Sequence, residues 1–105
     1  MEIKLLYING CPNLSPTLKL LKSILKEKDL EEKIDLIEIK SQEDVEKHKF
    51  LGSPTIQING LDIEKEKRKN SPVFGCRMYK IGDNYSGIPP KHLIIEAIEE
   101  SEKQI

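Results

Sequence analysis

Apolar residues in the first third of the chain form a short continuous run and then recur at helical spacing. The run EIKLLYI at residues 2–8 predicts a short strand that is buried on both faces. Pro16 fits the first turn of the helix that follows, because its missing N–H would have no partner there. We expect this helix over about residues 15–29, where apolar residues recur at helical spacing: Leu14, Leu18, Leu21 and Leu25.

The middle of the chain predicts two further strands with a short helix between them. The segment KIDLIEIK at 33–40 is rich in isoleucine and is interpreted as the second strand. SQED then has the capping-box spacing of a helix start, in which the Ser41 side chain bonds the amide near Asp44. This helix should end by Gly52. Residues 54–60, PTIQING, alternate in a strand pattern and close with an Asn-Gly turn signal.

The C-terminal part predicts a loop, a fourth strand and a final helix. Residues 61–74 are interpreted as an extended loop, which includes the mixed-sign run EKEKRK typical of a solvated segment. GCRMYKI at 75–81 is interpreted as a strand antiparallel to the third one. PPKHLIIEAIEESEK at 89–103 predicts a helix with Pro90 near its first position.

The element order is therefore β-α-β-α-β-β-α. A strand–helix–strand unit this short favours parallel pairing through a right-handed crossover, and the last two strands should pair antiparallel. We expect an α/β fold in which a four-stranded mixed sheet carries helices on both faces. At this length the chain should form one domain over residues 1–105.

Composition narrows the function classes without naming one. Charged residues make up 33% of the chain, but its net charge of −1 provides no field that would gather nucleic acid or an anionic membrane. No segment approaches membrane-spanning length. Two cysteines are too few for a disulfide framework, so we expect a reducing, cytoplasmic setting in which both thiols are free.

Cys11 lies where the first predicted strand gives way to the first helix. Free backbone N–H groups and the positive end of the helix dipole meet at such a junction, and both favour a thiolate over a thiol. Pro12 shapes the turn and adds no competing donor. Local sequence therefore makes Cys11 a candidate nucleophile, and a buried structural cysteine is the alternative.

Pro54 directly precedes the third predicted strand, where an X-Pro bond is a candidate for the cis isomer. With GCPN around Cys11 and GSPT around Pro54 in this element order, the chain resembles the thioredoxin/glutaredoxin-like superfamily over nearly its whole length. The resemblance implies a thioredoxin-like fold with Cys11 as the attacking, catalytic thiol and Pro54 as the cis-proline beside it. Ser53 would offer its backbone to an extended substrate. Pro12 and Thr55 would complete the substrate-binding turns.

The chain departs from the superfamily pattern at one position. Thioredoxin-like sites commonly carry a second cysteine three positions after the first, and Leu14 stands there in this sequence. Three alternatives follow: monothiol exchange with glutathione or another small thiol, resolution by Cys76, or loss of redox catalysis. An antiparallel fourth strand would place Cys76 about 16 Å from the active-site end of the third strand, which favours a structural role for it.

The segment GCRMYKIGDNYSGIPP is also similar to small thioredoxin-like proteins with a Cys-Arg-x-Tyr motif, some of which are labelled alkylmercury-lyase-related. Soft-metal or organomercurial handling by Cys11 and Cys76 is therefore one alternative function, and a non-catalytic binding module is another. The main expectation is a monothiol disulfide-exchange protein that uses Cys11. Its partner would be a disulfide-bearing protein or a small thiol, with no metal or other cofactor. His48 and His92 lack the spacing of a zinc site, and the sequence leaves the oligomeric state open.

Overall fold

A four-stranded mixed sheet forms the centre of the computed structural model, which describes residues 1–103. The first two strands pair in parallel, whereas the strand after the cis-proline pairs antiparallel with both of its neighbours. In spatial order the strands are β2 (Ile34–Glu38), β1 (Ile3–Tyr7), β4 (Thr55–Ile58) and β5 (Leu61–Asp62). The expected α/β class and mixed four-stranded sheet are confirmed.

Helices cover both faces of this sheet. Adjacent residues of a strand point to opposite faces, and in β1 Leu5 belongs to one buried cluster while Leu6 belongs to the other. Helices α1 (Leu14–Glu27) and α3 (Lys91–Glu102) pack with Leu5, and α2 (Gln42–His48) packs with Leu6. The larger cluster comprises Ile3, Leu5, Leu21, Ile24, Leu25, Ile56, Ile58, Ile63, Tyr79, Ile94, Ala97 and Ile98.

The helix starts follow the sequence signals. The Ser41 hydroxyl accepts a hydrogen bond from the Asp44 N–H at 3.2 Å, and the Asp44 carboxylate accepts one from the Lys40 N–H at 3.0 Å. These two hydrogen bonds give partners to the Lys40 and Asp44 amides, which have none within the helix. Pro90 stands at the N-cap of α3, next to its predicted place. These boundaries confirm the capping interpretation.

The fourth strand of the sheet is different from the one that the sequence predicted. Asn59 and Gly60 have φ values of 53° and 80°, which is the left-handed backbone of a tight type I′ hairpin. This turn folds β5 back against β4, so β5 takes the edge that we expected residues 75–81 to occupy. The predicted antiparallel pairing of residues 75–81 with the third strand is therefore wrong.

Residues 73–86 contain three short strands that lie outside the main sheet. Strand β6 (Val73–Cys76) pairs in parallel with β3 (Leu51–Ser53), the short strand before the cis-proline. Strands β7 (Tyr79–Ile81) and β8 (Asn84–Ser86) form an antiparallel hairpin. The prediction missed β3 because three residues are too few to show a period.

The segment before β6 is attached to α3, although its charge pattern predicted a solvated loop. Both terminal nitrogens of Arg68 bond the Glu100 carboxylate, at 2.7 and 3.1 Å. The Arg68 Nε also donates to the Asp62 carbonyl at 2.7 Å. A guanidinium fork on a carboxylate fixes orientation as well as distance. This tie holds the chain between β5 and β6 against the end of α3.

Within residues 1–103, no helix is both long enough and apolar enough to cross a membrane.

The Arg68–Glu100 tie predicts a pH-dependent contribution to stability. Glu100→Gln should lower the free energy of unfolding by about 0.2–1 kcal/mol at neutral pH, because the pair is partly exposed. Hydrogen bonding to Arg68 holds the pKa of Glu100 below its usual range. A carboxyl whose folded-state pKa is lowered stabilises the fold above its unfolded pKa of about 4.3 and loses that contribution as the pH falls.

Urea titrations from neutral pH to about pH 3 test this prediction, and the two stabilities should converge at the acid end. The matched control is Glu96→Gln, an exposed glutamate of the same helix, which should stay within about 0.5 kcal/mol of wild type. Equal stability of wild type and Glu100→Gln at neutral pH would contradict the tie.

Candidate functional site

Cys11 lies in a tight turn between β1 and α1. Its backbone N–H donates to the Ile8 carbonyl at 3.1 Å, and its own carbonyl accepts from the Leu14 N–H at 3.3 Å. Gly10 supplies the left-handed backbone of the turn, with φ of 84°. The thiol is free and half-buried, and Pro12 beside it is exposed. The structure thus leaves the predicted nucleophile at the predicted strand–helix junction.

The Ser53–Pro54 peptide bond is cis, and the turn that contains it is bonded to the Cys11 turn. The Ser53 hydroxyl accepts a hydrogen bond from the Ile8 N–H at 3.0 Å, although 45 positions separate the two residues. Ile8 is also the residue whose carbonyl closes the Cys11 turn. The two motifs on which the sequence interpretation depended therefore meet at Ile8.

The residues around the cis-proline are buried beneath the surface. Ser53 is 2% exposed and Thr55 is fully buried. The Thr55 hydroxyl donates to the Gly52 carbonyl and accepts from the Arg77 guanidinium at 3.1 Å. The Ser53 carbonyl already accepts from the Arg77 N–H at 3.0 Å. These contacts within the chain stabilise the turn. The substrate-binding role predicted for Ser53, Pro54 and Thr55 stays a prediction.

Cys76 lies at the cis-proline turn, so its predicted position at the far end of the third strand is wrong. Cys76 and Ser53 are paired residues in the parallel ladder between β6 and β3. Neighbouring strands are about 4.8 Å apart. The error came from the pairing partner, because β6 runs beside β3 and not antiparallel to β4. The Cys76 thiol is free and exposed.

Arg77, which the sequence interpretation left without a role, is buried behind the turn. It is 4% exposed, and it bonds both oxygens of Asp62 at 2.8 and 2.7 Å and the Glu64 carboxylate at 2.8 Å. Burial alone would lower the pKa of Arg77, but the hydrogen bonds and charges of these partners outweigh it and raise that pKa. The cation therefore stays charged and joins β4, β5 and the segment after β6.

Tyr79 completes the contact of the Cys-Arg-x-Tyr motif with the turn. Its hydroxyl donates to the Pro54 carbonyl, and its ring lies 4.4 Å from the Arg77 guanidinium carbon. Burial raises the pKa of Tyr79, partly offset by the Arg77 charge, so the phenol remains a donor. Cys76 pairs with Ser53, Arg77 bonds Ser53 and Thr55, and Tyr79 bonds Pro54. The only sequence signal for this role was the motif itself.

A close approach at Gly52 leaves room only for glycine. A Cβ at Gly52, where φ is 109°, would lie 2.9 Å from the Arg77 Cβ and 3.2 Å from the Cys76 carbonyl oxygen. Gly52 thus allows the motif to reach the cis-proline turn. Gly87 contacts the Asn13 side chain, so the segment before α3 lies against the residues that follow Cys11.

In the part of the chain that the structure describes, no group of three or more His, Cys, Asp or Glu side chains is arranged to hold a metal ion.

These features define an α/β protein with a free cysteine at a strand–helix turn that is hydrogen-bonded to a cis-proline turn. The chain belongs to the family described as a domain of unknown function, DUF2703, whose model matches residues 8–98. The matched region includes Cys11, the cis-proline turn and the Cys-Arg-x-Tyr motif. Comparison with curated proteins and comparison with solved structures each found no match.

The Tyr79 hydrogen bond predicts a loss of stability when its hydroxyl is removed. Tyr79→Phe should lower the free energy of unfolding by about 1–3 kcal/mol, because the Pro54 carbonyl loses its buried donor. A phenol whose folded-state pKa is raised contributes fully below the unfolded pKa of about 10 and loses that contribution as the pH rises further. Urea titrations should therefore show a constant difference from wild type up to about pH 10 and a smaller one above it.

Tyr85→Phe is the matched control, because Tyr85 is 64% exposed and should change stability by no more than about 0.5 kcal/mol. If Tyr79→Phe matched this control at neutral pH, the proposed brace on Pro54 would be wrong.

The close approach at Gly52 predicts that a single methyl group disturbs the site. Gly52→Ala should lower the free energy of unfolding by about 1–3 kcal/mol, since it adds left-handed strain and pushes against Arg77. Gly75→Ala is the control, because its φ is ordinary and its Cβ would meet only Val73, at 3.8 Å. If the two variants had the same denaturant midpoint, residues 76–77 could not lie in contact with Gly52.

Proposed function

We propose that this protein is a thioredoxin-like thiol–disulfide exchange protein in which Cys11 is the attacking sulfur. The observation that carries the proposal is the hydrogen bond from the Ile8 N–H to the Ser53 hydroxyl. It joins the turn that holds Cys11 to the turn that holds the cis Ser53–Pro54 bond. A free thiol on a turn that is hydrogen-bonded to a cis-proline turn agrees with the arrangement that the resemblance to the superfamily implies.

The topology supports the thioredoxin-like assignment. Strands β1 and β2 are parallel and joined through α1, and β4 and β5 are antiparallel on the other side of β1. The cis-proline stands immediately before β4. Helix α3 packs on the same face as α1. This order of elements is the one expected from the sequence for a thioredoxin-like domain, with β5 in place of the predicted fourth strand.

The position of Cys11 supports its role as a nucleophile. It lies in the turn that leads into α1, three positions before the first helical residue, Leu14, and helix N-termini are positions that favour anionic groups. Asn13, at the N-cap, makes no side-chain capping hydrogen bond, and the Cys11 carbonyl takes part in the helix start by accepting from the Leu14 N–H. The site is partly open, because Cys11 is half-buried and Pro12 is exposed. Cys11 is therefore partly accessible to solvent and not enclosed in the core.

The reaction proposed is one step of disulfide exchange. The Cys11 thiolate attacks one sulfur of a substrate disulfide, a new S–S bond forms, and the other sulfur leaves as a thiolate that takes up a proton from solvent. The substrate class is a protein disulfide or a small disulfide such as oxidised glutathione. A reducing cytoplasmic setting would keep the resting thiol free.

This function predicts that Cys11, and not the more exposed Cys76, reacts first with a small disulfide. Reduced protein is mixed with limiting oxidised glutathione at neutral pH, and the adduct is located by mass spectrometry of quenched samples. Cys76→Ser should react at the wild-type rate. Cys11→Ser should react more slowly than wild type by a factor of about ten or more. The two variants form a matched pair because each leaves one free thiol.

Equal rates for the two variants, or a first adduct on Cys76, would refute the proposal. Circular dichroism of both variants checks that the comparison is made between folded chains. Failure of both thiols to react would instead favour the non-catalytic binding module.

A further inference from the structure

We infer that Cys76 is the resolving thiol of Cys11, so that exchange passes through an intramolecular Cys11–Cys76 disulfide. This inference rests on the proposed function and adds a second sulfur to it. The chain has two cysteines, and position 14, where a nearby resolving thiol would stand, is leucine. Cys76 is therefore the single internal thiol that can release a substrate from Cys11.

Both cysteines are connected to Ser53 through hydrogen-bonded neighbours. On one side, the Cys11 N–H bonds the Ile8 carbonyl, and the Ile8 N–H bonds the Ser53 hydroxyl. On the other side, Ser53 is paired with Cys76, and the N–H after Cys76 bonds the Ser53 carbonyl at 3.0 Å. The two thiols thus flank one buried serine, each held by short hydrogen-bonded steps.

A shift in register brings Cys76 to this position. Leu51 is paired with Val73 and Ser53 with Cys76, so two steps along β3 correspond to three steps along β6. A regular ladder would have placed Gly75 opposite Ser53. The extra residue marks a β-bulge or another irregularity of the ladder, and bulges re-aim side chains and are over-represented next to active sites. The shift replaces glycine with cysteine opposite Ser53.

The surroundings of Cys76 anchor it on one side and leave it accessible on the other. Arg77 and Tyr79 fasten the following residues to Thr55 and Pro54. Phe74, two residues before Cys76, is 46% exposed, and Cys76 is exposed as well. Within the described residues β6 pairs with β3 alone, so its other edge is unpaired. A disulfide needs Cα atoms about 4.4–6.8 Å apart, so the inference requires Cys11 and Cys76 to come within that range during exchange.

The complete exchange balances atoms and electrons. Cys11 thiolate opens the substrate disulfide, forms a mixed disulfide and releases the first substrate thiol. Cys76 then gives up its proton to solvent and attacks the Cys11 sulfur. The Cys11–Cys76 bond forms, the mixed disulfide breaks, and the second substrate thiolate takes up a proton. One substrate disulfide is reduced to two thiols while two cysteine thiols are oxidised, and an external dithiol would restore the resting state.

A chromogenic aromatic disulfide tests the inference, because each thiol that it releases is coloured. With limiting reagent, wild type should release a second coloured thiol in a step whose rate is independent of protein concentration. Intact mass should then show loss of two hydrogens and no retained adduct. Cys76→Ser should stop after the first release and keep the adduct on Cys11. Peptide mapping of the wild-type product should identify a Cys11–Cys76 bridge.

A relocated thiol provides the matched control. The double variant Cys76→Ser and Phe74→Cys keeps a second exposed thiol on β6 but moves it away from Ser53. Its release of the second coloured thiol should be slower than that of wild type by a factor of about ten or more. Equal rates would overturn the specific role of position 76. If wild type retains an adduct on Cys11, the inference is wrong and the proposed exchange function stands. If Cys11 does not react at all, both are wrong.

Discussion

The buried guanidinium of Arg77 is the group on which the geometry of this site depends. It connects Asp62 of β5 and Thr55 of β4 to the segment that carries Cys76. A buried ion pair contributes little net stability, because desolvation offsets much of the attraction, but removal of one partner leaves an uncompensated charge. Such a pair therefore permits one arrangement of its partners far better than others. Here that arrangement holds residues 76–79 against the cis-proline turn.

This constraint explains why the C-terminal segment lies beside β3 and not at the edge of the main sheet. With β5 occupying that edge, the carboxylates of Asp62 and Glu64 create a buried negative site that only a cation can fill. Arg77 fills it from the end of β6, and Tyr79 then reaches the Pro54 carbonyl. The position of Cys76 follows from its neighbours in sequence more than from any contact of its own.

Sequence reasoning succeeded where local signals are strong and failed where the choice of a strand's partner matters. The helical spacing of leucines, the Ser41 cap and the Asn59–Gly60 turn are local, and the structure has each of them. Strand β3 has three residues and shows no period, so the partner of β6 could not be recognised. A buried arginine is equally hard to predict, since charged side chains are expected at the surface unless a partner is known. The Cys11 and Pro54 turns were recognisable because their residue types carry specific backbone chemistry.

The same packing bears on where a second thiol can be placed. Leu14 begins α1 and packs against the larger core cluster, so a cysteine there would exchange buried apolar area for reactivity. Strand β6 offers the opposite conditions, because its thiol is exposed and the residues that follow it supply the anchoring. The packing thus leaves one cysteine in the turn before α1 and the other on an edge strand, and Ser53 contacts both segments through Ile8 and Cys76.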